Sequence, residues 1–348
     1  MGDIAAFDQA MDIGGDLLLV MTLKAMIELD VLEVMAAPGL GALLCPEEIA
    51  SKIQANNPVA HEVLDRMLRF LAAYKVVTCD EVIGEDGKNK KLYGLDPVCK
   101  FFTKNEDGVS LAPCLLLFLS KPFMDTWANI KHAVLDGSTA PFVKTHGMAL
   151  HEDKDLHNNQ MFNKVMFNYT TILMKKMLEN YKGFESINVL VDVGGGYGGN
   201  LSITLSKYPH IKAINFDLPH VVSQAKPIQG VVFVGGDMFD SIPGGDAIFM
   251  KNILHNWSDV DCVKILKNCC KALPENGKII IVESVIPENI DEAKTALYTD
   301  MLMLTLFNGG KERTENEYQF LAKKSGFFGF KIVCNIYRSS IMEFYKSM

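Results

Sequence analysis

From residue 188 onward the chain carries short apolar runs separated by helix-length segments. They read "INVLVDVG", "IKAINFDLP", "VVFVGG", "DAIFMKN" and "GKIIIVES", and "GNLSITLSKYP" and "SDVDCVKILKNCCKAL" between them have helical periodicity. Strands that are apolar throughout, rather than alternating, belong in a parallel sheet covered by helices on both faces. The pattern predicts an open α/β sheet. Two last runs, "GFKIVCNIY" and "SSIMEFYK", are joined by a short turn and predict an antiparallel hairpin at the sheet edge.

The upstream half has no such alternation. "DLLLVMTLKAMIELDVLEVM", "CPEEIASKI" and "AHEVLDRMLRFLAAY" predict amphipathic helices, the second opened by Pro46 and two early acids. "KVVTCDEVIGEDGKNKKLYGLD" predicts a hairpin about the polar turn "EDGKNK". Three helices and such a hairpin make a winged-helix-like arrangement, and further helical segments extend to about residue 181. A chain of 348 residues is long for one core. The expected domains are residues 1–145, mostly helical, and 146–348, the α/β sheet.

Composition removes several function classes. The net charge of −8 and the lack of a basic stripe leave no electrostatic footprint for nucleic acid or an anionic membrane. None of the eight cysteines forms a C-x-x-C pair or stands near a histidine at zinc-finger spacing. They predict reduced thiols and a cytoplasmic protein. The N-terminus is acidic where a signal peptide is basic, and "SLAPCLLLFLS" is about half the length a membrane span needs.

The stretch "VDVGGGYGG", Val191–Gly199, falls at the carboxyl end of the first sheet strand. Ligands bind open α/β sheets at that end, where strand order reverses. Gly194, Gly196 and Gly199 satisfy G-x-G-x-x-G, with Asp217 placed to bind ribose hydroxyls. Asp192, Gly194, Gly196 and Gly198 equally read D-x-G-x-G-x-G, which resembles the first motif of S-adenosylmethionine-dependent methyltransferases. Asp237 and Met238 in "GGDMF" favour the second reading, since an acid and a thioether after the third strand suit an adenine. The terminal hairpin also favours it. The bland alternatives are a tight turn without a ligand and a solvated strand-end carboxylate at Asp237.

A second constellation follows the fourth strand in "KNILHNWSDVD". Ser258 and Asp261 predict a capping box for the next helix. His255 precedes that helix on the same rim as the glycines, with Glu283 and Glu312 as candidate partners. A carboxylate ending an apolar strand is costly without a partner. A histidine beside a carboxylate is held in one tautomer and is a stronger base.

With "LDRMLRFLA", "KNEDGVS", "LVDVGGG", "INFDLPHV", "GGDMF", "DAIFMK", "LHNWSD", "NGKIIIVES" and "GGKERTE", the chain closely resembles the caffeic acid/5-hydroxyferulic acid-type O-methyltransferases of plants, from about residue 17 to the last strand. The resemblance implies a Rossmann-like methyltransferase sheet and an N-terminal dimerisation domain that does not bind DNA. It assigns His255 as catalytic base, with Glu283 and Glu312 holding it. Gly194, Asp217, Leu218, Asp237, Met238, Phe239, Lys251 and Thr170 match the site of S-adenosyl-L-methionine, which leaves as S-adenosyl-L-homocysteine. It implies no metal, a homodimer, and direct transfer to a phenolic oxygen. Prior deprotonation of a phenol by an ordinary histidine is uphill by roughly 4–5 kcal/mol, so proton removal accompanies attack.

The acceptor positions depart from the resembled type. Phe118 and Phe307 stand where it has Asn, Phe123 where it has Leu, and Tyr169 where it has His. Phe162, Met166 and Met303 are kept, and Asn256 completes the implied acceptor set. Fewer polar groups disfavour a hydroxycinnamic acid and favour a less polar phenol: an alkaloid, phenylpropene, coumarin or flavonoid. An acidic rim from "HEDKD" would favour a protonated amine. The alternatives are a lignin-type acceptor, N-methylation of an amine, and a scaffold that has lost activity; the last predicts a broken site.

Overall fold

The computed structural model describes residues 2–39, 41–84, 87, 89–150 and 156–347, with only the backbone of 156–159. The segment "HEDKD" (151–155) lies outside the described residues. The chain divides into two compact units, Met1–Lys121 with Met161–Asn168, and Pro122–Gln160 with Tyr169–Met348.

In the first unit α1 (Asp3–Glu28), α2 (Val31–Ala36), α3 (Pro46–Lys52) and α4 (Ala60–Ala73) precede the hairpin of β1 (Val77–Ile83) and β2 (Asn89–Leu95), followed by α5 (Ala112–Phe118). The strands pair from Val77↔Leu95 to Ile83↔Asn89. Met26, Leu32, Ile49, Leu68 and Leu71 form the core with Tyr93, whose hydroxyl donates to Asp65 Oδ1 (2.6 Å). The sequence suggested one helical stretch near the N-terminus. The structure has two, divided where Asp30 adopts φ 54°, a left-handed conformation that a short acidic side chain tolerates. α1 also begins earlier than its apolar run, at Asp3, and passes through Gly14–Gly15. Ile4, Phe7, Met11, Leu18 and Met21 recur along it at heptad spacing and are exposed, Ile4 by 80%.

In the second unit α6 (Lys121–Ala128), α7 (His132–Leu135), α8 (Pro141–His146) and α9 (Leu156–Asn180) lead into β3 (Val189–Val193), β4 (Lys212–Asp217), β5 (Val231–Gly235), β6 (Ala247–Lys251) and β7 (Lys278–Glu283). α9 gives Met161–Asn168 to the first unit. A two-stranded parallel pair, β8 (Val285–Ile286) and β9 (Arg313–Thr314), precedes the hairpin of β10 (Gly329–Ile336) and β11 (Ser339–Tyr345). The seven-stranded sheet has the order β10-β11-β7-β6-β3-β4-β5, parallel from β7 to β5 with β11 antiparallel to β7. Helices α10 (Gly199–Lys207), α11 (Pro219–Val222), α12 (Asp259–Ala272), α13 (Lys294–Leu306) and α14 (Glu315–Lys324) complete the unit.

The continuous apolar strands have a simple cause. Ile248 and Met250 of β6 pack with Ile265 of α12 and Leu321 of α14, while their neighbours Ala247 and Phe249 pack with Met174 of α9 and Leu201 of α10. Both faces of β6 are covered, so no position on it is polar until Lys251. Strand order reverses at β3, which lies between β6 and β4. The loops after β3 and β6 therefore flank the crevice where doubly wound sheets take ligands.

The expected capping box at α12 is only half formed. Ser258 Oγ accepts from the Asp261 amide (3.3 Å), but Asp261 Oδ2 takes the Ser258 hydroxyl (2.6 Å), not its amide. Aspartate is one methylene shorter than the usual glutamate. A complete box forms at α14, where Glu317 Oε2 accepts from the Thr314 amide (2.8 Å).

Candidate active site

β6 delivers the site. After Lys251 the backbone turns through Asn252 at φ 57°, donates from its amide to Val282 O (3.1 Å), and enters a single 3-10 turn, Leu254–Asn256, that carries His255. The turn is too short to hold itself and is anchored from outside. The amides of Ile253 and Leu254 both donate to Glu283 Oε1 at 2.8 Å. The Lys311 amide donates to His255 O at 2.9 Å. Asn256 Nδ2 donates to Asn252 O (3.3 Å), and its Oδ1 is buried without a hydrogen-bond partner among the described residues.

His255 is 6% exposed and its two acids are buried. Its Nδ1 lies 2.9 Å from Glu312 Oε1 and 3.3 Å from Glu283 Oε2. One ring nitrogen carries one proton, so only one carboxylate accepts it. Distance gives that proton to Glu312, and Glu283 Oε2 has no hydrogen-bond partner among the described residues. The neutral imidazole is then the Nδ1–H tautomer, and its lone pair sits on Nε2, which has no hydrogen-bond partner among the described residues. Burial draws the imidazole pKa down, but the Glu283 and Glu312 carboxylates outweigh it and hold the value above the usual one. Burial raises the Glu312 carboxyl, against the pull of His255. Glu312 is itself oriented by its amide, which donates to Asp300 Oδ1 (2.9 Å).

These three side chains are also the cluster, among the described residues, whose nitrogen and oxygen atoms converge within 4.8 Å as metal ligands do. The converging nitrogen is Nδ1, which already donates to Glu312. The donor set fits an oriented base, and we derive no step through a metal.

The loop after β3 stands beside the His255 turn, with Gly194 against the Ile253 side chain. Gly194 donates to Phe216 O (2.9 Å) at φ 70°. Gly196 has φ 56°, and open space lies where a Cβ would stand, so the loop presents bare backbone. Asp217 Oδ2 accepts from the Gly196 amide (2.8 Å) and Oδ1 from the Leu218 amide (2.7 Å), which ties the end of β4 to this cradle. Asp237 is exposed and accepts the Phe239 amide (2.8 Å). Met238 is half-buried, and Phe239 meets Trp257 edge-on at 4.8 Å. Thr170 is buried, its Cγ2 3.7 Å from the point a Gly199 Cβ would occupy. Lys251 is buried with its Nζ 5.6 Å above the Tyr169 ring, and burial lowers its pKa to about 8. Asp192, wholly buried and raised by that burial to about 7, bonds Asn200 Nδ2 (3.1 Å) and so supports the loop from behind.

This cradle suits a nucleoside-bearing donor. Bare backbone at Gly196, a half-buried carboxylate at one strand end and an exposed carboxylate at the next are groups of the kind that a charged amino-acid tail, a ribose and a base amino group pair with.

The expected acceptor residues fall in both units. Phe118, Phe162 and Met166 belong to the first. In the second, Phe123 is buried against Trp127 (5.6 Å) and Phe142 (6.0 Å), and the Tyr169 hydroxyl lies 3.3 Å from Ser339 Oγ. Met303 is buried in the last turns of α13 and Phe307 is its C-cap residue. A Cβ on Gly310 would come within 3.0 Å of His255 O and 2.8 Å of Phe307 Cβ, so only glycine lets the turn after α13 pass so close to His255. Arg313 escaped sequence reasoning, although it follows Glu312 in "GGKERTE" and is wholly buried. A groove of about 470 Å³ in the first unit, lined by Asp65, Arg66 and Arg69 among others, contains none of these groups.

Residues 127–328 match the model of an O-methyltransferase domain, and residues 11–105 that of an O-methyltransferase dimerisation domain. The chain is 50% identical to O-methyltransferase 13 of Lophophora williamsii over 99% of this chain and 97% of that one. It is 51% identical to caffeic acid 3-O-methyltransferase of Clarkia breweri over 97% and 93% of the two chains. Among solved structures, human N-acetylserotonin methyltransferase in complex with SAM shares the fold with a TM-score of 0.80 at 21% identity, covering 100% of both chains. A methyltransferase of calicheamicin biosynthesis in its SAH-bound form gives 0.83 at 24%, covering 99% of each. With two family models in register and half its residues shared with full-length relatives, the chain belongs to the plant caffeic acid O-methyltransferase-like family of S-adenosylmethionine-dependent O-methyltransferases.

Proposed function

We propose that this enzyme methylates a phenolic hydroxyl of a plant aromatic less polar than caffeic acid, with His255 Nε2 as the base. The observation that carries the reading is the pair of carboxylates on Nδ1, which leaves Nε2 as the available lone pair. S-adenosylmethionine, when bound, supplies an electrophilic methyl group. The chain's part is to hold the donor and to move a proton. Gly194, Asp217, Leu218, Asp237, Met238, Phe239, Lys251 and Thr170 are the proposed donor contacts. Nε2 accepts the phenolic proton, and the resulting imidazolium is stabilised by Glu312 at 2.9 Å and Glu283 at 3.3 Å. Each pKa unit by which these acids raise His255 removes about 1.4 kcal/mol from the cost of taking that proton.

The proposed acceptor contacts are Phe118, Phe123, Phe162, Met166, Tyr169, Asn256, Met303 and Phe307. Their aromatic character supports an alkaloid, phenylpropene, coumarin or flavonoid phenol, because an apolar wall offers a carboxylate no partner. Caffeic acid itself is the second reading, favoured by the names of several relatives about 50% identical to this chain. The proposed assembly is a homodimer; the proposed domains are residues 1–145 for dimerisation and 146–348 for catalysis, whereas the compact units divide after Lys121. The proposed compartment is the cytoplasm, supported by eight free cysteines. No helix among the described residues is long and apolar enough to cross a membrane.

His255→Gln tests the mechanism. Donor binding by calorimetry should persist, while turnover of the best phenol falls about 10²–10⁴-fold; turnover within a few-fold of wild type would remove His255 as the base. Competition between caffeic acid and a panel of neutral and cationic phenols tests the acceptor. A preference for caffeic acid establishes the second reading.

A further inference from the structure

The base is held by more than its two acids. Arg313 is the largest wholly buried side chain, and its guanidinium is spread over the turn that carries His255. Nη1 donates to Leu254 O (3.0 Å) and Nη2 to Trp257 O (2.8 Å), so one planar group bridges carbonyls on either side of His255–Asn256. Nε donates to Asp259 Oδ1 (2.9 Å), and Nη2 lies 2.8 Å from the same oxygen, which fixes the plane to the first residue of α12. The two residues before it complete the grip. Glu312 accepts the hydrogen bond of His255 Nδ1–H, and the Lys311 amide donates to the His255 carbonyl. Three consecutive residues thus hold the side chain, the carbonyl and the flanking peptides of one histidine. This segment runs into β9, which pairs with β8 just after Glu283.

We propose that Arg313 is a positioning residue for the base: its guanidinium sets the orientation of the 254–257 turn at which Nδ1 of His255 meets Glu312. A buried guanidinium that only offset charge would need its carboxylate partner and nothing more. This one directs two of its arms to the carbonyls of one turn. The task needs a rigid fork. A lysine ammonium is a point charge on a flexible stem and cannot reach both carbonyls and Asp259 together. Freed of the fork, the turn can rotate, Nδ1 drifts from both acids, and Nε2 drifts from the line of the acceptor. Misplacement by about 1 Å can cost about 10²-fold in rate.

The inference rests on the reading of His255 as the base, and the test separates the two. Arg313→Lys should lower kcat about 10–100-fold while KM for the phenol and donor affinity by calorimetry stay within about two-fold. The acidic limb of the rate profile, and the His255 titration followed by NMR of ¹³C-histidine-labelled protein, should both move to lower pH. Asp259→Asn keeps the guanidinium over the carbonyls but unpins it, and should shift both readouts the same way by less. Because Asp259 is half-exposed, it decides the question if Arg313→Lys does not fold. Unshifted titration and kcat within about three-fold in the folded variants would overturn the inference. If the His255 titration moves but His255→Gln keeps its turnover, positioning stands and the base assignment falls.

Discussion

At the scale of single residues, the two acids beside His255 do different work. Glu312 accepts the ring proton, whereas Glu283 spends Oε1 on two backbone amides and acts on the ring through charge. The difference is testable. Glu312→Gln keeps an acceptor for Nδ1–H and removes the charge, so His255 should lose basicity with its orientation retained. Glu283→Gln meets a conflict: if its oxygen keeps the two amides, its NH₂ faces the Nδ1 proton. The second variant should therefore lose more kcat than the first, by about 10-fold. Since both carboxylates raise the His255 pKa against its burial, both variants should shift the acidic limb to lower pH. The sign for stability is opposite to that for activity. A raised imidazole stabilises the fold fully below its unfolded value of about 6.5 and loses that contribution as pH rises through the folded value. The proposed mechanism needs the neutral ring, so activity should grow over the window in which this stabilisation is lost. Melting temperatures of wild type and His255→Gln measured across pH should converge as pH rises.

At the scale of elements, the terminal hairpin shows what pins the sheet. β11 inserts antiparallel against β7, from Ser340↔Glu283 to Tyr345↔Lys278. Its Glu343 is buried and receives the hydroxyls of Tyr181 and Tyr345 and the ammonium of Lys278, the last at 2.6 Å. Burial raises that carboxyl, but Lys278 and the two hydroxyls overcome it, so the pKa lies below the usual value. Its stabilisation is present above the unfolded value of about 4.3 and is lost as pH falls through the folded one. Glu343→Leu strands the lysine and both hydroxyls and should cost about 3 kcal/mol in urea unfolding at neutral pH; a loss under about 0.5 kcal/mol would show the network to be idle. Strands such as β6 and β7 were legible because burial on both faces writes a continuous apolar run. The hairpin was legible from its two runs and turn. What escaped was the start of α1, whose exposed apolar residues have no partner within the described chain to explain them. Arg313 escaped because, Asp259 apart, its targets are backbone carbonyls, which leave no mark in a sequence. His255, Glu283 and Glu312 could be proposed as a set, but which oxygen faces Nδ1 is decided by β9 and the 3-10 turn.

At the scale of the molecule, the first unit carries the dimerisation domain, and α1 offers its apolar heptad to solvent in one chain. Two glycines inside that helix cost about 1 kcal/mol each, a loss that packing against a second copy would offset. Replacing Ile4, Phe7 and Met11 together with serine should weaken the homodimer, seen as a concentration-dependent fall in mass by light scattering; an unchanged dimer at low micromolar protein would place the interface elsewhere.

The grip on His255 also has a consequence for how enzymes of this kind diversify. Its holders, Glu283 and Lys311 through Arg313, all follow β6 in the chain, whereas five of the eight proposed acceptor contacts lie between residues 118 and 169. The proposed proton-handling residues and most of the proposed acceptor residues thus lie on separate stretches of the sequence. Drift, recombination or design can then exchange one stretch while the other stays fixed. A chimera that takes residues 118–169 from a relative should acquire that relative's taste in phenols while its rate still rises with pH at the same point.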